Sequence, residues 1–75
     1  MLLLYKMNGC PFCDKVIKHL NEHGVAYRAM DVSDSVNYDE LLHLGEQDQV
    51  PFFVDTDHNV KMYDSDKIIE YVDTL

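Results

Sequence analysis

The sequence predicts a small α/β domain with its elements in the order βαβαββα, a four-stranded mixed sheet flanked by helices. Three observations predict it. The apolar run Leu2-Leu3-Leu4-Tyr5 hands over to a helical pattern through the breaker Met7-Asn8-Gly9. An alternating stretch from Val25 to Met30 follows that helix, so two strands are joined through a helical crossover, which is right-handed and makes them parallel. Near the end of the chain, two apolar stretches flank the turn Thr56-Asp57-His58-Asn59, and such a hairpin must be antiparallel.

Each element has its own signal. Leu2 to Tyr5 is a short continuous apolar strand. From Pro11 to His23 the apolar residues Cys13, Val16, Ile17 and Leu20 recur at the spacing that buries one helix face. Pro11 suits the first turn, where its missing N–H costs nothing, and Gly24 suits the C-terminal cap. Val25 to Met30 forms the second strand, ending at Asp31. Ser33-Asp34-Ser35 offers caps for a weaker amphipathic helix that buries Tyr38, Leu41 and Leu42 and closes near Gly45. Phe52-Phe53-Val54 and Val60-Lys61-Met62 are the hairpin strands, and Ser65 caps a last helix that buries Ile68, Ile69, Val72 and Leu75.

With 75 residues the chain holds one domain, residues 1–75, near the lower limit for a single core without staples. The opening apolar run is too short for a signal peptide or a membrane span, and no later segment reaches the ~20 residues that a spanning helix needs. No membrane association and a cytoplasmic location are therefore expected. A net charge of −8 with only six Lys and Arg, scattered, argues against nucleic acid, whose phosphates require clustered cations.

The chemistry rests on Cys10-Pro11-Phe12-Cys13, which holds the chain's only two cysteines. Two thiols at this spacing close a small disulfide ring, supply half of a metal site, or sit idle in a core. In a reducing compartment the first two uses outweigh a permanent staple. Cys10 falls where a strand hands over to a helix, so its sulfur meets unpaired backbone N–H groups and the positive end of the helix dipole, which favour a thiolate. Cysteines in such settings titrate between about 3.5 and 7.5 rather than near 8.5. Cys13, one turn on, faces the core and resolves a mixed disulfide at Cys10. Asp14 opposes the thiolate and Lys15 offsets it.

Together, Cys10-Pro11-Phe12-Cys13 after a short strand, Gln49-Val50-Pro51-Phe52 before the hairpin and Asp64-Ser65 at the last helix resemble the glutaredoxin family. More narrowly, they resemble its branch shared with the N-terminal domains of glutathione transferases. The likeness covers essentially the whole chain. It implies a thioredoxin-like fold with a cis Pro51 facing the cysteines and turning the backbone of Val50 toward an extended peptide or glutathione. It also implies that Asp64, Ser65 and the helix N-terminal amides hold the γ-glutamyl end of glutathione, that Gln47 or Gln49 can donate hydrogen bonds to its glycine carboxylate, and that Phe12 lends apolar cover beside the reactive sulfur. The chain departs from the family pattern at Met7, where many glutaredoxins carry lysine, the lysine here being Lys6. Glu46-Gln47-Asp48-Gln49 supplies acids where a base often steadies the glycine carboxylate.

The resemblance implies a thiol–disulfide oxidoreductase with catalytic Cys10 and Cys13, no tightly bound cofactor and glutathione as reductant. Its partners are glutathione and disulfide-containing proteins, and it acts as a monomer. Two alternatives stay open: a redoxin fed by thioredoxin reductase, and a non-catalytic module that binds glutathione or a metal. A transferase proper needs a further helical domain, whose linker would begin near Leu75. His19 and His23 have a ligand-like i, i+4 interval, yet the buried stripe runs through Val16 and Leu20, so both are expected to be solvated. His43 and His58 are likewise expected to be exposed, Tyr5, Phe12 and Tyr63 are candidates to line the groove, and no metal site is predicted. One Cys-x-x-Cys leaves a structural zinc two ligands short.

Overall fold

The computed structural model describes residues 1–75. The elements are β1 (Leu2–Lys6), α1 (Pro11–Glu22), β2 (Arg28–Asp31), α2 (Ser35–Gly45), β3 (Phe52–Asp55), β4 (Val60–Tyr63) and α3 (Ser65–Asp73). The strands lie in the order β2-β1-β3-β4. β1 pairs in parallel with β2 and antiparallel with β3, and β3 pairs antiparallel with β4. The mixed four-stranded sheet read from the sequence is the one observed.

Alternation along β1 and β3 feeds two cores, one on each face of the sheet. Leu4 and Phe53 point to one side, where Val16 and Leu20 of α1 and Ile68 and Val72 of α3 close over them. Tyr5, Phe52 and Val54 point to the other, packed against Leu41 of α2. α1 and α3 therefore share a face and touch each other. Both helices begin at the end of the sheet where β1 delivers Cys10.

The second strand is shorter than its alternation suggests. With Leu3 opposite Arg28, Val25 and Ala26 lie beyond the start of β1 and have no strand to pair with. Val25 instead ends α1, its N–H donating to the carbonyl of Leu20 at 2.9 Å after Gly24 turns the chain at a φ of +63°.

Three side chains depart from expectation. Leu42 is exposed, because only Leu41 of the pair faces the sheet while α2 packs a single narrow stripe. Leu75 is exposed, since α3 stops at Asp73 and the chain leaves the core beyond it. Ser65 is the first helical residue rather than the cap, and the capping oxygen is that of Asp64, which accepts from the N–H of Asp66 at 3.0 Å.

Candidate thiol–disulfide site

Cys10 is the N-cap of α1, with extended backbone, and Pro11 opens the helix behind it. The N–H of Cys13 donates to the Cys10 sulfur across 3.1 Å. This is one of the orphan donors of a helix start, here directed at sulfur instead of the usual Ser or Asp oxygen. The two cysteines are joined as a disulfide, with their Cα atoms 5.2 Å apart. Cys10 retains 8% of its surface and Cys13 none, so of the two only Cys10 is open to another molecule.

Beside the motif a cavity of about 250 Å³ is lined by Phe12, Gln49, Val50, Pro51, Asp64, Ser65 and Asp66. Phe12, Gln49, Val50, Pro51, Asp64 and Ser65, all singled out in sequence for ligand contact, thus face one space. Phe12 is 63% exposed and stands as an apolar wall, while the buried Pro51 follows Val50 through a cis peptide bond. Asp64 adopts a φ of +77°, an uncommon conformation for a residue with a side chain, and its carboxylate caps α3. Ser65 is buried at the mouth of that helix.

The sequence reading missed Asp66, and with it the role of Lys15. Lys15 does not serve as a counterweight to Asp14 alone: its ammonium pairs with the carboxylate of Asp66, linking the first turns of α1 and α3 across the site. The pairing of two residues 51 positions apart has no local signature. Lys6 points elsewhere, to Asn8 at 3.1 Å and Asp31 at 3.6 Å, and so braces β1 against the end of β2. The aromatic candidates separate. Tyr5 is core, its hydroxyl donating to Glu40, and burial first, then that carboxylate, pushes its pKa up to about 12. Tyr63 donates to the carbonyl of Gln47 at 3.0 Å, tying β4 to the segment that precedes Pro51.

The histidines divide as well. His43 and His58 are exposed as expected, although His58 is bonded through Nδ1 to Asp55 at 2.7 Å. His19 is only partly exposed: it is turned toward α3, where Nε2 lies 2.7 Å from a carboxylate oxygen of Asp73.

A four-stranded mixed sheet with a cysteine pair at the head of its first helix and a cis-proline beside it defines a thioredoxin-like protein. The family model "Glutathione S-transferase, N-terminal domain" matches residues 4–75, and the chain belongs to that family. No curated protein matches it in sequence. Among solved structures, a mutant of the thioredoxin-like protein BC3987 is similar at 26% identity with a TM-score of 0.83, covering 100% of this chain and 97% of that one. A glutathione S-transferase from the Antarctic clam Laternula elliptica is 30% identical with a TM-score of 0.81, covering 97% of this chain and 34% of that one. Glutathione transferase Omega 3C from Trametes versicolor shares the fold at a TM-score of 0.84 and 23% identity, over 97% of this chain and 32% of that one. The chain thus spans nearly all of the thioredoxin-like protein and about a third of each transferase. None of its helices is long and apolar enough to cross a membrane.

Proposed function

We propose that this protein is a thiol–disulfide oxidoreductase that reduces protein disulfides or glutathione mixed disulfides through Cys10 and Cys13. The observation that carries the reading is the capping of Cys10 sulfur by the Cys13 N–H, beside a cavity that brings Val50, Pro51, Asp64 and Ser65 together. In the reduced protein the Cys10 thiolate attacks a substrate disulfide in line, the new S–S bond forms and the far sulfur leaves as a thiolate that takes up a proton. Cys13 loses its proton and attacks Cys10 sulfur, releasing the second substrate thiol and leaving the Cys10–Cys13 disulfide. Two molecules of glutathione then return the pair to dithiols and leave as glutathione disulfide.

The cavity suits such a reductant at one end. The amides at the start of α3 and the buried Ser65 receive a carboxylate, and Asp64 faces an ammonium. Phe12 covers the apolar middle of the ligand. Reduction of a glutathionylated peptide, coupled to glutathione reductase, tests the reading. Cys10→Ser is expected to abolish turnover and Cys13→Ser to retain part of it, by resolution with free glutathione. Full activity in Cys10→Ser would remove the mechanism, and activity only with thioredoxin reductase would change the electron donor.

Membership of the transferase N-terminal family supports a second reading, a glutathione-binding module without turnover. Glutathione binding with no reductase activity in the wild-type protein would select it.

A further inference from the structure

At the opposite end of α1 from Cys10, the C-termini of α1 and α3 bring three ligand-type side chains together. His19 Nε2 lies 2.7 Å from Asp73 Oδ1, and the rings of His19 and His23 stack with centroids 4.1 Å apart. One ligand atom from each of His19, His23 and Asp73 lies within 4.8 Å of the other two. We propose that His19, His23 and Asp73 form a binding site for a divalent transition-metal ion of the zinc type, which clamps α1 to α3.

The donor set suits the ion. Two imidazoles four positions apart on one helix and a carboxylate from a second supply three ligands, and water fills the remaining position. Zinc ligands lie about 2.1 Å from the metal, so two of them sit roughly 3.4 Å apart, and the His19–Asp73 pair needs to open by less than about 1 Å. His19 is already held between the helices, with only 19% of its side chain exposed.

Two independent features point the same way. His23 Nδ1 lies 2.8 Å from the carbonyl oxygen of His19. A carbonyl only accepts, so Nδ1 carries the proton and Nε2 keeps its lone pair, the arrangement by which backbone carbonyls orient metal-binding histidines. Both helices also end here, α1 at Glu22 and α3 at Asp73. Their negative dipole ends and the Asp73 carboxylate favour a cation, while the last turn of α3 carries no basic residue of its own. Along the helix axis His19 and His23 lie roughly 14 and 20 Å from Cys10, so the cluster is distinct from the thiol site.

Titration of the oxidised protein with zinc chloride, by calorimetry and thermal melting, tests the site without competition from free thiols. One zinc per chain is expected at micromolar concentration, with the melting temperature rising by roughly 5 °C at saturation. His23→Gln and Asp73→Asn are each expected to weaken binding by about tenfold or more. His43→Gln, which alters an exposed histidine on α2, leaves it unchanged. His23 is exposed and outside both cores, so His23→Gln keeps the fold and decides the matter even if Asp73→Asn disturbs α3. Saturation only at millimolar zinc, or unchanged affinity in His23→Gln, would overturn the proposal.

Discussion

The backbone N–H of Cys13 reaches the sulfur of Cys10 at 3.1 Å, closing the first turn of α1 on the one cysteine of the pair that keeps any exposed surface. The same turn leaves Cys13 fully buried behind it. Exposure and an amide donor suited to a thiolate thus coincide on a single residue. In the reduced protein, brief treatment with iodoacetamide is expected to label Cys10 at least about tenfold faster than Cys13, because the thiolate is the reactive species and must be accessible. Peptide mass mapping reads the ratio, and equal labelling would contradict the assignment of roles.

Leu20 lies at the centre of the α1–α3 core with no exposed surface. Its truncation to alanine is expected to cost about 2–5 kcal/mol. A domain of this length has a total stability of about 4–11 kcal/mol, so Leu20→Ala approaches the limit of folding. Leu42→Ala, on the exposed side of α2, should stay within about 0.5 kcal/mol of wild type. Urea unfolding distinguishes them, and similar midpoints would show the core to be drawn wrongly.

Gly45 closes α2 against the aromatic pair Phe52 and Tyr63, whose rings lie 4.6 Å apart. A Cβ at this position would meet the Tyr63 hydroxyl and ring and crowd Phe52. Gly45→Ala is therefore expected to destabilise the protein by about 1–3 kcal/mol, although alanine is the better helix former. Tyr63→Phe in the Gly45→Ala background should restore part of the loss, as the clash with the oxygen disappears. A stabilised Gly45→Ala would refute the packing described.

Asp55 is a buried carboxylate that gathers four donors: the Tyr71 hydroxyl at 2.6 Å, His58 Nδ1 at 2.7 Å and the N–H groups of Asp57 and His58. The Tyr71 hydrogen bond chiefly, helped by His58 and the Asp57 amide and opposed by burial, lowers its pKa from 3.8 to about 2. A folded-state value below the unfolded one stabilises the protein above about pH 4, and this stabilisation is lost as the pH falls from 3.8 to 2. Asp55→Asn should be less stable than wild type near pH 6, with the difference shrinking below pH 4. Urea melts across that range measure it, and a constant difference would argue against the linkage.

The element order and the mixed sheet were legible because they rest on local patterns: apolar runs, helical spacing in α1 and α3, and a four-residue turn. The cavity was legible through three short motifs, each of which contributes residues to its lining. What stayed hidden are pairings between distant residues. Nothing near Lys15 announces Asp66, nothing near His19 announces Asp73, and nothing near Asp55 announces Tyr71. The length of β2 was misread for a related reason. Alternation reports which side chains face inward, whereas a ladder also needs a partner strand of sufficient length.

The strand order leaves β2 and β4 at the rims of the sheet, each only four residues long. One rim carries the charges of Arg28 and Asp31, and the other that of Lys61. Short, charged rims are poor templates for a further strand. Neither rim therefore invites extension of the sheet, so edge-to-edge pairing between copies of this chain is disfavoured on both sides.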